Sequence, residues 1–306
     1  MPNMIPTQPR FIFFGTRGIF SRVVLQQLLQ QNQPIEAIVV PNQRRDEWRL
    51  LSAPLATESE LLMVPSFVTQ TIVEIGWTHA IPVWEANTQA KPMPIALQQI
   101  KPTALLVACW PTRLPTKLLK WPTWGALNVH PSLLPNYRGP VPLFWQRRAG
   151  LLQSGVTIHY MSQRLDAGDM LAQTVYPLPD GATGQKLDLL AAQQGGQLLN
   201  HVISGLLNQR LTPQAQPPGG HYDSWPSEDA FTIPTTWSAR RAYNFMQAAN
   251  EWQTPFTIGF ANRSHQVIRA TGFTSSGTLD QPVITNDHHV AIPFTPGMLY
   301  AELAVA

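Results

Sequence analysis

Short runs that are apolar at every position, separated by stretches with helical spacing, restrict what this chain can fold into more than any other feature. Phe11-Ile12-Phe13-Phe14 is the first such run. A strand with one face in water shows polar residues at alternate positions, so a run without them must be covered on both faces. The turn Gly15-Thr16-Arg17-Gly18 follows, and residues 19–29 have the spacing of a helix. The pattern repeats, with strands at 35–40, near 80–83, at 104–108 and at 125–130, and a second helix over 67–75. Strands alternating with helices predict an α/β fold with a mostly parallel sheet between helices.

A strand at 156–161, another near 170–176 and a long helical stretch over 184–207 extend this region. Residues 211–236 are rich in Pro, Gln and Gly, with Pro217-Pro218-Gly219-Gly220 among them, and read as a linker over the surface. From Trp237 onward the spacing predicts one helix over 239–249. Short strands follow around 256–260, 266–273 and 283–293, which suggests a small β-rich barrel or sandwich. The expected division is a catalytic domain over 1–207, a linker over 208–236 and a small C-terminal domain over 237–306, which suits a chain of 306 residues.

Composition enters as exclusion. With 44% hydrophobic residues the chain can bury a core, and no apolar stretch approaches the ~18 residues of a membrane span. Residues 1–10 carry no apolar signal-peptide core. The single cysteine, Cys109, has no partner for an intramolecular disulfide, so a soluble cytoplasmic protein is expected. Net charge is +3, unevenly spread: residues 1–200 hold 16 Lys and Arg against 11 Asp and Glu, whereas residues 201–306 hold five Arg and no Lys against seven acids. A dedicated nucleic-acid domain normally presents a basic surface, and the C-terminal part does not. The first turn lacks the G-x-G-x-x-G spacing of a dinucleotide site.

The chemistry-bearing region is 125–170. Asn128 and His130 lie two apart, so on a strand both side chains share a face, near the carboxyl end where open α/β sheets place ligands. The strand breaks at Pro131 into a loop punctuated by Pro and Gly. Asp166 and Asp169 flank Gly168 in a second turn after the strand at 156–161. If those two strands are neighbours, a carboxylate from the second reaches the imidazole of the first. Taken singly, each feature has a plainer reading: a hydrogen-bonded histidine, or a turn made of ordinary turn residues.

Taken together, Asn-Val-His-Pro-Ser-Leu-Leu-Pro-x-Tyr-Arg-Gly-x-x-Pro over 128–142, Gly-Val-Thr at 155–157 and Leu-Asp-x-Gly-Asp at 165–169 resemble the folate-dependent formyltransferases. That family includes methionyl-tRNA formyltransferase, glycinamide ribonucleotide transformylase and the sugar-amine N-formyltransferases. Weaker likeness lies in Phe-x-Gly-Thr after the first strand and in Trp225-Pro226-Ser227-Glu228-Asp229. The resemblance implies a Rossmann-like formyltransferase domain followed by an OB-like C-terminal domain, and formyl transfer from 10-formyltetrahydrofolate to an amine. It also implies a catalytic trio of Asn128, His130 and Asp166. Asn128 and a protonated His130 would donate to the oxyanion of a tetrahedral intermediate, each such donor being worth roughly 3–4 kcal/mol. Asp166 would orient His130, favour its charged form and help move the amine proton.

By the same resemblance the pterin packs between the loops after the fourth parallel strand and around the aspartate. Trp110, Thr112, Arg113 and Leu114 come from the first, and Leu165, Ala167 and Gly168 from the second, with Ser132, Leu133, Leu134 and Pro135 forming the adjoining wall. The stretch Cys109-Trp110-Pro111-Thr112 departs from the family's usual variants, and Trp110 reads equally well as a core-capping aromatic. Arg138 is either part of the pocket or a solvated loop charge, and Asp169 is expected to brace its turn. No metal and no membrane partner are expected.

The acceptor stays open between methionyl-tRNA and a sugar-nucleotide amine. The tRNA enzymes usually carry a basic loop after the second strand; here residues 41–49 hold three arginines diluted by two acids. Two further alternatives keep the same residues: hydrolysis of the formyl-folate, and a folate-binding relative that has lost activity.

Overall fold

The computed structural model describes residues 8–42, 47–53, 70–89, 93–260, 263–277, 281–286 and 288–304. Four elements open the chain: β1 (Phe11–Gly15), α1 (Ile19–Gln30), β2 (Ile35–Pro41) and β3 (Trp48–Leu51). Next come α2 (Ile72–Thr78), β4 (Val83–Ala86), α3 (Ile95–Gln98), β5 (Ala104–Ala108) and α4 (Thr116–Leu119). The region closes with β6 (Ala126–His130), α5 (Pro142–Arg148), β7 (Gln153–Tyr160), β8 (Met170–Pro177) and α6 (Gly184–Leu207). The strands form one eight-stranded sheet in the order β3-β4-β2-β1-β5-β6-β7-β8. β1 pairs parallel with β2 and with β5, β2 with β4, and β5 with β6. From β1 the chain winds outward through β2 and β4, then returns to build β5 and β6 on the other side. The switch point therefore lies between β1 and β5, where such sheets open a crevice at their carboxyl ends.

The all-apolar runs explain the centre of this sheet. Phe11 to Phe14 and Ala104 to Ala108 are buried without exception. Ile12, Phe14, Leu105 and Val107 share one cluster with Leu97, Leu114 and Leu118. Each large side chain so buried stabilises the fold by about 1.5–3 kcal/mol.

The differences from the sequence expectations have local causes. The second helix begins at Ile72 because Thr71 caps it, its hydroxyl accepting from Val73 N while Glu74 reaches back to Thr71 N. Residues 67–69 of the expected helix lie outside the described residues. The strand expected at 80–83 starts instead at Val83, because Ala80 is left-handed and Ile81 N still bonds to Gly76 O at the helix end. β3 pairs antiparallel with β4 in a stretch read as loop, and Arg49 lies on it; residues 43–46 are outside the described residues. The segment read as linker makes specific pairs: Gln214 with Met170, and Tyr222 with Arg138.

The C-terminal sheet is separate. Its strands are β9 (Thr232–Pro234), β10 (Phe256–Phe260), β11 (Arg263–Thr274), β12 (Val283–Asn286), β13 (His289–Pro293) and β14 (Met298–Leu303). They run in the order β12-β13-β14-β11-β10-β9. The single strand expected over 283–293 is a hairpin, β12 paired antiparallel with β13. β9 and β14 were not expected. Helix α7 (Ala239–Ala249) buries Ala242, Phe245, Met246 and Ala249 among Phe256, Ile258, Ile292 and Leu299 of this sheet. Ser238 caps it by accepting from Arg241 N.

Contacts divide the chain into two units, each built from three stretches: Met1–Pro135, Gly155–Thr174 and Leu189–Gly220 in one, and Asn136–Ser154, Val175–Asp188 and His221–Ala306 in the other. No helix among the described residues is long and apolar enough to cross a membrane.

Within the second unit, burial and the neighbouring Glu251 push the Asp188 carboxyl up to about 6. The folded form therefore binds a proton more readily than the unfolded chain. Stability from this group rises as pH falls through about 6 toward 3.8, and above 6 the charged group is a penalty. Asp188→Asn is expected to raise the melting temperature by a few degrees at pH 7.5 and by little at pH 4.5. A gain independent of pH, read by calorimetry, would contradict this.

Candidate active site

Strand β6 puts Asn128 and His130 on one face, and its partner decides what faces them. β6 and β7 pair antiparallel with Asn128 opposite His159 and His130 opposite Thr157. Directly opposed residues share a side of the sheet, so these four side chains gather on one face. Thr157 then holds the loop that follows His130. Its hydroxyl donates to Ser132 O (2.6 Å) and accepts from Leu134 N (3.1 Å), while Gln173 Nε2 reaches both that hydroxyl and Leu134 O at 2.9 Å.

Asp166 arrives from the turn after β7. It adopts φ +50°, a left-handed conformation that Asp and Asn tolerate better than most residues. Two residues on, a Cβ at Gly168 would stand 1.9 Å from Tyr160 O, so only glycine allows the turn to close on the strand. Tyr160 N donates to Asp169 O, and Gln216 Nε2 holds the carbonyls of Asp166 (2.8 Å) and Gly168 (2.9 Å). So fixed, Asp166 Oδ1 stands 3.8 Å from His130 Nδ1 and 3.9 Å from His159 Nε2. His130 is 4% exposed and His159 is 1% exposed. The Asp166 side chain keeps 16% of its surface in solvent. A cation on His130 would thus face a carboxylate in a largely dehydrated setting, where charge pairs act more strongly than in water.

His159 is the residue that the sequence reasoning missed. Its Nε2 is 3.1 Å from Asn128 Nδ2 and its Nδ1 is 2.9 Å from Tyr160 O. Strand parity carries the signal: His159 lies two residues after Thr157, on the face that β7 turns toward Asn128.

The residues expected at the folate occupy two adjoining loops and a wall. After β5, Cys109 is left-handed, and the Trp110 ring packs edge-on against Phe14 at 5.1 Å while its Nε1 donates to Thr112 Oγ1 at 3.1 Å. Gln89 Nε2 donates to Arg113 O, and Gln163 Nε2 to Thr116 Oγ1, tying the aspartate loop to α4. The side chains of Leu114, Ser132 and Leu134 are buried, and the main-chain groups of Ser132 and Leu134 are engaged within the loop. Leu133 rests on Gly155, where a Cβ would lie 2.3 Å from Leu133 Cδ2, and Pro135 follows a cis bond. Gly168 is buried. Trp110, Leu165 and Ala167 are half-buried and Thr112 and Arg113 exposed, a mixed apolar and polar surface of the kind a flat heterocycle such as a pterin requires.

Comparison with known proteins shows which family the chain resembles. The family described as "Formyl transferase" matches residues 9–203. Methionyl-tRNA formyltransferase from Listeria innocua serovar 6a is 30% identical over 301 residues, 97% of this chain and 90% of that protein. Its counterpart from Clostridium perfringens (strain 13 / Type A) is 30% identical over 190 residues, so the chain spans about 61% of that relative's length. Among solved structures, an N-formyltransferase from Helicobacter canadensis in complex with folinic acid and dTDP-3-aminofucose superposes with TM-score 0.62 at 15% identity. The match covers 95% of this chain and 98% of that one. Methionyl-tRNA formyltransferase from Clostridium thermocellum superposes with TM-score 0.53 at 14% identity, covering 86% and 93%. At such identities the structures share the fold. The profile match over more than half of the chain, together with the near full-length Listeria relative, places the chain in the formyl transferase family.

Proposed function

We propose that the chain transfers a formyl group from 10-formyltetrahydrofolate to an amine, with Asn128, His130 and Asp166 as its catalytic residues. The observation that carries this reading is Asp166 Oδ1 at 3.8 Å from His130 Nδ1, with Asn128 on the same strand face. As the amine nitrogen bonds to the formyl carbon, negative charge gathers on the former carbonyl oxygen. Asn128 Nδ2–H and a protonated His130 are donors for that oxygen. Asp166 orients His130 and accepts the amine proton, directly or through water, for delivery to the departing N10 nitrogen of the folate. The oxyanion then returns to a carbonyl as the bond to N10 breaks, and the folate leaves as tetrahydrofolate. The folate's ring is proposed to lie between residues 110–114 and 165–168.

For the acceptor we take methionyl-tRNA. The Listeria enzyme of that name aligns over 97% of this chain, which supports a shared acceptor. A second reading, a sugar-nucleotide amine, has one observation in its favour. Tight tRNA binding relies on several cations at phosphates, and three of the five arginines at 201–306 have partners within the protein. Arg240 pairs with Asp180, Arg269 with Glu302, and Arg241 lies 3.7 Å from the Trp237 ring centre while donating to Arg148 O. Release of tetrahydrofolate from 10-formyltetrahydrofolate, followed with methionyl-tRNA or with amino-sugar nucleotides, separates the two. Turnover with the amino sugar alone overturns the tRNA assignment, and release without any amine would make the chain a hydrolase.

His130→Ala is expected to lower turnover roughly 100- to 1000-fold, the value of an oxyanion donor, while the folate dissociation constant changes only a few-fold. Equal loss of binding and turnover would contradict the assigned role. Asp166→Asn retains the left-handed turn and the fold, yet is expected to lose nearly all transfer. An active, folded Asp166→Asn protein would show that another group handles the proton.

A further inference from the structure

We propose that His159 is a positioning residue: as a neutral imidazole with its hydrogen on Nδ1, it fixes the Asn128 amide so that an N–H remains aimed for the oxyanion. The inference rests on the catalytic reading of Asn128 and His130 given above.

Hydrogen-bond chemistry at the two ring nitrogens carries it. Nδ1 stands 2.9 Å from the main-chain carbonyl of Tyr160, which only accepts, so Nδ1 carries a hydrogen. Nε2 stands 3.1 Å from Asn128 Nδ2, and in a neutral ring whose hydrogen sits on Nδ1 it offers that amide a lone pair. With the amide turned over, the Asn128 carbonyl oxygen would confront that lone pair. His159 is 1% exposed, so water has little room to relieve the conflict. His159 therefore takes one N–H of Asn128 and leaves the second, on the same nitrogen, in a set direction. The carbonyl of Tyr160 is itself held in place by the turn, since Tyr160 N bonds to Asp169 O and Gly168 packs against Tyr160 O.

The same tautomer settles which histidine Asp166 serves. Its Oδ1 lies at nearly equal distances from His130 Nδ1 and His159 Nε2, 3.8 and 3.9 Å. A carboxylate needs a donor, and Nε2 of this neutral His159 has no hydrogen to give. Asp166 is thereby left to His130, the residue whose positive charge the reaction uses. Two imidazoles with ring centres 6.2 Å apart are thus kept in different roles by one main-chain carbonyl.

Two substitutions separate positioning from packing. His159→Gln keeps an acceptor oxygen near the place of Nε2. His159→Asn keeps a donor for the Tyr160 carbonyl, but its side chain is too short to bring its acceptor oxygen to the place of Nε2. Both are assayed with 10-formyltetrahydrofolate and, as acceptor, methionyl-tRNA or an amino-sugar nucleotide, whichever the unmodified protein turns over. His159→Gln is expected to keep kcat within about threefold, whereas His159→Asn loses about 10- to 100-fold in kcat with little change in KM for the folate. In an Asn128→Ala background, adding His159→Asn should cost less than about twofold, because the two residues act as one unit. Equal losses in the two variants, or losses that multiply with that of Asn128→Ala, overturn the proposal. Unchanged turnover in Asn128→Ala alone would overturn the catalytic reading, and the proposal with it.

Discussion

Antiparallel pairing of β6 with β7 in one register is the constraint on which the rest of the site depends, because side chains on a strand alternate between two faces. A slip of one residue would send Asn128 and His130 to opposite sides from His159 and Thr157. β6 has only five residues, and pairing alone would hold so short a strand weakly. Buried contacts secure it: β6 lies between β5 and β7, and Leu127 and Val129 are buried on the other face. The polar pair can face the site because the apolar pair faces the core.

A second requirement is the turn that returns Asp166 to β6. Gly168 lets the chain pass against Tyr160 O at a separation no other residue permits, and Gln216 holds two of the turn's carbonyls. Gln216 belongs to a stretch whose composition suggests only a flexible passage. In the structure that stretch bonds back to the turn carrying Asp166. Buried main-chain carbonyls need partners, and here a glutamine far along the chain supplies them.

Much of the architecture was legible in the sequence. The all-apolar runs at 11–14 and 104–108 became central parallel strands, and α6 and α7 occupy the ranges their spacing indicated. Elements that were missed are short or non-local. β3 and β14 depend on pairing with β4 and with β11 and β13, and β3 has too few residues to display an alternation. The helix α5, which begins directly after Val141 with Pro142 at its first position, lay inside a stretch that Pro and Gly made look like continuous loop.

At the site, Asn128, His130 and Asp166 could be named from their types, their spacing and the family likeness. Residue types and periodicity determine which segments become strands and which side chains share a face, because those properties are local. Which strand lies beside β6, in what register, and which main-chain carbonyl meets a given imidazole are decided by contacts between distant parts of the chain. His159 illustrates the difference: it lies 31 residues from Asn128, and only the fold brings its Nε2 to 3.1 Å from the amide nitrogen. Sequence determined which candidate groups are present, and tertiary structure decided their orientation, because a hydrogen bond depends on angstrom-scale placement that no local pattern encodes.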